Sequence, residues 1–187
     1  KSSKYKYYKK VLNLLKKIQT IKNNKIKTFL KTNYKIPEYS KKILINEANL
    51  FLEWYLPLYL KGNKKIIVKK KLSKIFIKLV NQLVYKKNVF VHRDFHVSNI
   101  MITKKGIGLI DNQDALFGNI AYDIASLIDD VRLKTSIKTK NFIFNEFLKI
   151  NCLIDKEKFR NDFEILSVMR NLKVIGIFTR LSIRDRS

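Results

Sequence analysis

Apolar residues recur at every third or fourth position along most of the chain, which is the spacing of helices that bury one face. Between Lys1 and Ile21 this spacing predicts a first helix, with lysines on its exposed face. It predicts five more helices, over residues 38–56, 72–87, 122–133, 136–150 and 155–181. We expect the second helix to stop at Pro57, because proline lacks the N–H group that continues a helix.

The pattern changes near the middle of the chain, where short apolar runs replace the helical spacing. Val89–Val91 predicts a short buried strand. Two further runs predict a β-hairpin around the turn Thr103-Lys104-Lys105-Gly106, namely 99–102 and 107–110. The hairpin would hold Asn99 and Asp111 opposite each other at its open end. The predicted fold class is therefore α+β, mostly helical, with a small β-hairpin.

The chain has 187 residues and a formal net charge of +25, so nucleic-acid or membrane-surface binding has to be considered. Only seven of its 40 basic residues are arginine, whereas Lys, Ile, Asn, Phe and Tyr are all abundant. This composition is typical of an AT-rich genome, and we interpret the charge in that way. A basic nucleic-acid-binding module remains the alternative interpretation.

The charges are unevenly distributed. Residues 1–35 contain twelve lysines and no acidic residue, whereas residues 92–130 contain six of the 15 acidic residues and three basic ones. An acidic cluster in such a basic chain indicates a cation site, not a phosphate site without a metal ion.

The single cysteine, Cys152, excludes an internal disulfide and suits a reducing cytoplasm. We expect it to be a buried structural thiol. No uncharged apolar run reaches the roughly 20 residues that span a bilayer, and no secretory signal is visible. The sequence therefore predicts a cytoplasmic protein with no membrane partner.

Three polar residues carry the predicted chemistry. Asp94 precedes Asn99 by five positions, and Asp111 follows Asn99 by twelve. Phosphoryl transfer requires a carboxylate that orients a hydroxyl group and accepts its proton, and oxygen ligands that hold Mg²⁺ on the nucleotide phosphates. We predict that Asp94 is the catalytic base, that Asn99 and Asp111 bind Mg²⁺, and that ATP is the donor.

The segment His92-Arg93-Asp94 through Asn99 is similar to the catalytic loop of protein kinases, but His96 stands where protein kinases usually have Lys or Ala. The pattern His-x-Asp-x-His-x-x-Asn resembles the aminoglycoside phosphotransferase and choline kinase family. Two more segments resemble that family, namely 110–114 with its aspartates 111 and 114, and Tyr122-Asp123-Ile124-Ala125.

Within that family the chain resembles the bacterial anomeric sugar kinases of cell-wall recycling, which act on N-acetylmuramate and N-acetylglucosamine. The resemblance lies in residues 46–56, the catalytic loop, 111–118 and 170–178. It implies a kinase-like fold, a nucleotide and a small sugar as partners, and transfer to an amino-sugar hydroxyl group. A choline- or aminoglycoside-type acceptor is the alternative, and no substrate-binding residue is assigned.

The remaining polar residues of the loop are expected to be structural. His92 and His96 would brace the loop, with a catalytic His96 as the alternative. Asp123 would accept hydrogen bonds from the loop backbone, as the resemblance implies. Asp114 would support the metal site or face the substrate. Two further expectations concern other positions: Asp129 and Asp130 on a helix surface, and Trp54 and Tyr55 in the core and not stacked on a sugar.

A kinase also needs a glycine-rich loop and a strand lysine over the nucleotide. Before Val89 the only glycine is Gly62, and no set of antiparallel strands is visible. We therefore expect residues 1–187 to form one domain, the C-terminal lobe, without the N-terminal nucleotide-binding lobe. Such a fragment would have weak or no kinase activity. A non-catalytic lobe fragment is the corresponding alternative.

Overall fold

The computed structural model describes residues 2–85, 89–104 and 106–184, except for the side chains of residues 2 and 3. Helices dominate these ranges, as predicted. The α-helices are α1 (Ser2–Gln19), α2 (Lys41–Leu50), α3 (Leu56–Tyr59), α4 (Gly62–Asn81), α5 (Tyr122–Ile128), α6 (Ile137–Ile150) and α7 (Lys156–Arg184). The strands are β1 (Lys25–Lys27), β2 (Asn33–Lys35), β3 (Val89–Val91), β4 (Ile100–Thr103), β5 (Gly106–Leu109) and β6 (Leu116–Gly118).

The second predicted helix differs from the observed one at both ends. It begins at Lys41 and not at residue 38, because the Tyr39 N–H group donates to the Phe117 carbonyl at 2.7 Å and Ser40 caps the helix. It also continues past Pro57. A π-helical turn, Phe51–Tyr55, shifts the hydrogen bonding, so that Pro57 lies in the first turn of α3, where no N–H donor is needed.

Two other helix boundaries were predicted incorrectly. The third predicted helix, 72–87, begins ten residues earlier, at Gly62, whose φ of +54° starts its first turn, and it ends at Asn81. Its last two predicted residues, Lys86 and Lys87, lie outside the described residues. The helix predicted over 122–133 ends at Ile128, because Asp130, two residues later, accepts the backbone N–H groups of Val97 and Arg132.

The hairpin prediction is confirmed, although Lys105 in its turn lies outside the described residues. Strands β4 and β5 pair antiparallel, with Ile100 opposite Leu109 and Met101 opposite Gly108. Strands β3 and β6 form a second antiparallel pair, with Val91 opposite Leu116. This pair brings together the two ends of the segment that contains the predicted catalytic loop and the hairpin. One apolar core lies beneath these strands, with fully buried members from several helices: Leu12, Leu15, Leu52, Ile124, Phe147, Phe159 and Leu166.

Helices α2 and α7 pack closely along each other. The crossing depends on Gly176, where an added Cβ would lie 2.4 Å from the Leu50 carbonyl carbon. Such a distance leaves no room for a side chain. Glycine therefore lets the two backbones approach, and this approach places the polar face of α2 against α7.

Two burial predictions were wrong. Cys152 is exposed in the turn after α6, where no helix face carries it into the core. Trp54 and Tyr55 are only half-buried: Arg184 lies over the Trp54 ring, and Tyr55 stacks between Phe51 and Tyr59. None of the helices in the described part of the chain is long and apolar enough to cross a bilayer.

Candidate active site

The segment 92–99 leaves strand β3 and enters β4 as a loop with a short 3₁₀ turn, Val97–Asn99. Phe95 is fully buried and anchors the middle of this loop in the core. Arg93 and Asp111 have φ angles of +72° and +65°, which non-glycine residues rarely adopt. The surrounding contacts therefore hold the backbone of Arg93 and Asp111 in this unfavourable conformation.

Asp123, in the first turn of α5, holds the start of the loop from behind. Its carboxylate accepts hydrogen bonds from the backbone N–H groups of His92, at 2.8 Å, and Arg93, at 3.0 Å. The side chain is almost completely buried, and burial raises the pKa of the carboxyl group to about 7 although the two N–H donors oppose this shift.

Asp130 holds the other end of the loop. Its carboxylate accepts from the N–H groups of Val97 and Arg132, both at 3.0 Å, and the side chain is buried. Asp129 is half-buried and accepts from the Lys140 ammonium group at 2.6 Å. The prediction that both aspartates lie on a helix surface was therefore wrong, because α5 ends before them. The sequence signal that could have indicated their supporting role is their position: two carboxylates directly follow α5, all of whose residues are buried.

Asn99 lies across from Ile110 at the open end of the hairpin, since the Ile110 N–H group donates to the Asn99 carbonyl at 3.0 Å, and Asp111 follows Ile110 directly. The prediction that Asn99 and Asp111 lie opposite each other is therefore wrong by one residue, although both stand at the same end of the hairpin. The Asn99 amide nitrogen donates to the backbone carbonyl of Asp94 at 3.0 Å. This hydrogen bond orients the Asn99 amide, whose oxygen is the predicted cation ligand. Asp111, the other predicted ligand, is exposed.

His92 is bonded to the residue that precedes the predicted metal ligand Asp111. Its Nε2 is 3.1 Å from the Ile110 carbonyl, so Nε2 carries the proton. Burial lowers the pKa of His92, whereas the hydrogen bond to Ile110 and the carboxylates of Asp94 and Asp111 oppose this shift. The ring therefore joins the start of the catalytic loop to the end of the hairpin.

The other two predicted support residues differ in burial. His96 is buried, its Nε2 is 3.5 Å from the Asn99 amide nitrogen, and burial lowers its pKa. The Asp114 side chain is exposed, and its backbone carbonyl accepts from Arg93 at 3.1 Å. The structure therefore brings His96 to the predicted metal ligand, whereas Asp114 contacts the loop through its backbone.

The residues fit a magnesium ion in kind. Among the described residues, no group of three or more His, Cys, Asp or Glu side chains is arranged to hold a metal ion. Mg²⁺ in kinases is bound by few protein oxygens and by phosphate oxygens of the nucleotide. One oriented amide and one exposed carboxylate match that requirement.

Glu47 is a polar residue of the site to which the sequence assigned no role. Its carboxylate accepts from Arg93, from the Tyr39 hydroxyl group and, at 2.9 Å, from Lys173. All of these partners come from different parts of the chain. Glu47 therefore joins α2, the catalytic loop and α7. It lies in segment 46–56, which resembles the anomeric sugar kinases but in which no residue was given a role.

A cavity of about 170 Å³ opens beside Asp94, between the catalytic loop and α7. Basic side chains line one part of it, and an apolar surface of α7 lines the rest. The basic residues are Arg93, Arg132, Arg170 and Lys173; the apolar ones on α7 are Val174, Ile177, Phe178 and Leu181. A molecule in this cavity would lie against the Asp94 carboxylate.

A family model described as a phosphotransferase enzyme family matches residues 4–146. The chain is also similar to an N-acetylmuramate/N-acetylglucosamine kinase from Neisseria meningitidis serogroup B. The two are 33% identical over 160 residues, which cover 80% of this chain and 47% of the relative. The chain therefore spans about half the length of the relative that it matches.

Two solved structures are similar in fold. An ethanolamine kinase from Plasmodium vivax has a TM-score of 0.62 and 17% identity, with 95% of this chain and 54% of that chain covered. A choline kinase from Streptococcus pneumoniae has a TM-score of 0.62 and 13% identity, with 97% and 57% covered. These likenesses confirm the predicted fold class, which is mostly helical and kinase-like.

Proposed function

Because the chain belongs to the phosphotransferase enzyme family, we propose that it forms the acceptor- and metal-binding part of an ATP-dependent kinase that phosphorylates a hydroxyl group of an amino sugar. The observation that carries this proposal is the position of Asp94, which lines the cavity and whose backbone carbonyl accepts from the amide of Asn99, one of the two proposed metal ligands. The name of the Neisseria relative supports an amino sugar as the acceptor.

In this proposal Asp94 accepts the proton of the acceptor hydroxyl group as the phosphoryl group is transferred. The Asn99 amide oxygen and the Asp111 carboxylate would hold Mg²⁺, which neutralises charge on the nucleotide phosphates when it is bound. His92 and Asp123 keep the loop in place by hydrogen bonds to backbone groups. They position the base and the ligands without touching the reacting atoms.

The nucleotide base has an obvious surface on the hairpin. By the alternation of paired strands, Met101 and Ile110 lie on the same face as Asn99. Both side chains are about half exposed, at 47% and 50%. We propose that the adenine ring of the nucleotide stacks on this apolar face, and that an N-terminal lobe would cover the ring from the other side in the complete kinase. The described lobe would then have weak or no activity by itself.

A cationic acceptor is the second candidate, since the solved structures of similar fold are an ethanolamine kinase and a choline kinase. The lining of the cavity argues against it, because four basic side chains surround the place where such an acceptor would bind. Like charges at close range are costly where solvent is excluded. A neutral or anionic acceptor fits this lining better.

The test is an assay of the protein expressed from its complete gene, with ATP and Mg²⁺ and with N-acetylmuramate, N-acetylglucosamine or choline as acceptor. We expect a phosphorylated sugar and stoichiometric ADP, no product with choline, and no turnover after chelation of Mg²⁺. Asp111→Asn should raise the Mg²⁺ concentration needed for half-maximal rate. Phosphocholine as the main product, or ADP release independent of any sugar, would refute the proposal.

A further inference from the structure

We infer that the acceptor carries a carboxylate group, and that Arg170 and Arg132, which line the cavity beside Asp94, bind this group. The inference rests on the proposed function, because it assumes that the cavity beside Asp94 holds the acceptor. It goes further by assigning the substrate-binding residues that the sequence left open. It also predicts a preference between two sugars that the name of the relative groups together.

The cavity has an excess of positive charge. Four basic side chains and one carboxylate, that of Asp94, line it. A neutral sugar needs hydrogen-bond partners but no excess of positive charge. An excess of cations in a confined site favours a ligand that carries negative charge.

Two of the four cations share one carboxylate inside the protein. Arg93 and Lys173 both bond to Glu47, and their side chains are 19% and 13% exposed. One negative charge therefore offsets part of their two positive charges before any ligand binds. Arg132 and Arg170 make no bond to Glu47 and supply the rest of the excess.

Arg170 has no carboxylate in direct contact. It is buried, with 4% of its surface exposed, and its Nη1 donates to the Asp129 backbone carbonyl at 3.3 Å. Within the described part of the chain it forms no ion pair, and the carboxylates of Asp123 and Asp129 act on it only from a distance. The Asp129 carboxylate bonds to Lys140 and Ser167 instead. A buried guanidinium without a directly bonded carboxylate is unfavourable, and a ligand carboxylate would relieve that cost.

Arg132 is held loosely. Its guanidinium is 3.6 Å from the Asp130 carboxylate, and 42% of its side chain is exposed. The same carboxylate also accepts two backbone N–H groups. Arg132 can therefore turn toward a ligand at low cost. Two arginines on one anion provide the planar pairs of N–H donors that match a carboxylate.

The apolar side of the cavity fits the same ligand. Ile177, Phe178 and Leu181 extend along α7 from Arg170 and offer a surface for the ring carbons or the acetyl methyl group of an amino sugar. An acceptor bound in this way would have its hydroxyl group at Asp94 and its carboxylate at the arginines. The alternative is that the arginines bind the transferred phosphoryl group.

The experiment measures equilibrium binding by calorimetry at low salt, for N-acetylmuramate and for N-acetylglucosamine, which lacks the carboxylate. The proteins are the wild type, Arg132→Gln, Arg170→Gln and a matched control, Arg160→Gln. Arg160 is exposed at the start of α7, over the Phe144 ring, and does not line the cavity. Thermal unfolding identifies any variant that fails to fold, and exposed Arg132 provides the test if Arg170→Gln does.

We expect N-acetylmuramate to bind about tenfold or more tightly than N-acetylglucosamine, as a charge-assisted pair predicts. Each cavity variant should reduce this ratio to about threefold or less, whereas the control should leave it unchanged. Affinity for N-acetylglucosamine should stay within about twofold throughout, because the neutral sugar has no charge for the arginines to bind.

Equal binding of the two sugars, or no binding of N-acetylmuramate, would overturn the inference. The inference would also fail if the ratio of the two affinities survived both substitutions. It would fail as well if the variants slowed phosphorylation of both sugars equally, because the arginines would then bind the transferred phosphoryl group. Selective binding without sugar phosphorylation would sink the proposed function alone. Phosphorylation of both sugars without preference would sink this inference alone.

Discussion

The cavity beside Asp94 has two walls of opposite character. The catalytic wall is the segment 92–111, which reaches the cavity through Arg93 and Asp94 and whose backbone is bonded to the Asp123 carboxylate and to the Asn99 amide. The helical wall is residues 170–181 of α7, where the basic Arg170 and Lys173 are followed by apolar side chains. Glu47 is bonded to both walls, through Arg93 and Lys173.

The difference concerns how each wall is encoded. The catalytic wall is formed by residues close together in the sequence, with fixed spacings that the reaction requires. The helical wall depends on contacts between distant segments: Glu47 and Lys173 are separated by 126 positions. The first type of wall leaves a motif in the sequence, whereas the second leaves isolated charges on helices.

The largest expected effect tests the catalytic wall. Asp94→Asn removes the carboxylate that would accept the hydroxyl proton but retains its size. We expect turnover to fall by about 10²–10⁴-fold, the range for loss of a general base, with nearly unchanged nucleotide affinity. The measurement is steady-state kinetics of the protein from its complete gene with ATP and N-acetylglucosamine.

The matched control is Glu164→Gln, which makes the same carboxylate-to-amide change at an exposed position of α7. It should leave turnover unaffected. A near-normal rate for Asp94→Asn would show that another group accepts the proton, and the catalytic wall would lose its central residue.

The second prediction breaks the link between the walls. Glu47→Gln removes the one carboxylate that Arg93 and Lys173 share, leaving two cations near each other with side chains only 19% and 13% exposed. Removing one partner of a buried ion pair is strongly destabilising, so we expect a loss of about 2–4 kcal/mol in the free energy of unfolding. Urea unfolding measures it.

Adding Lys173→Met to Glu47→Gln should recover part of this loss, because one uncompensated charge is removed. A recovery indicates that charge is the cause. If the double variant is as unstable as the sum of the single ones, the two side chains do not interact in the folded protein.

The sequence predicted the hairpin that carries part of the catalytic wall, for a physical reason. The spacing of Asn99 and Asp111 is local, and a hairpin places both at its open end whatever the rest of the fold does, with Ile110 opposite Asn99. The resemblance to the aminoglycoside phosphotransferase and choline kinase family, carried by the same loops, is confirmed by the family match. The catalytic roles of Asp94, Asn99 and Asp111 stay predictions.

The helical wall could not be predicted in the same way. Helical spacing indicates which face of α7 is apolar, but not which helix packs against it, so Glu47, Arg170 and Lys173 had no assigned partners. Asp130 was misplaced because the end of α5 depends on the bonds that the loop makes with it. The half-exposed Trp54 likewise depends on the π turn, which allows the helix to continue through Pro57.

The third prediction concerns the packing that positions the helical wall. Gly176→Ala would place a Cβ 2.4 Å from the backbone of Leu50, so α2 and α7 would have to separate. We expect a loss of about 1–3 kcal/mol in the free energy of unfolding, although alanine favours helices. The control, Gly108→Ala, meets its nearest atom at 3.6 Å and should change stability by less than about 0.5 kcal/mol. Equal effects would show that the helices do not depend on this close approach.

The last prediction concerns the back of the catalytic wall and is measured as a slope against pH. The pKa of Asp123 is about 7, above its ordinary value of 3.8, because the side chain is buried. The folded protein therefore keeps a proton between these values that the unfolded chain releases. The contribution of Asp123 to the free energy of unfolding should fall as pH rises through this window, by at most about 1.4 kcal/mol per pH unit.

Asp123→Asn cannot titrate, so the difference in the free energy of unfolding between wild type and variant should fall from pH 4.5 to pH 6.5. Urea unfolding at intermediate pH values measures this slope, and the subtraction removes the contributions of other groups. A difference that is constant with pH would mean that the N–H groups of His92 and Arg93 outweigh burial and keep the carboxylate ionised. The catalytic wall would then be held by a permanent charge, as the helical wall is held by Glu47, and the contrast between the two would lie in sequence distance alone.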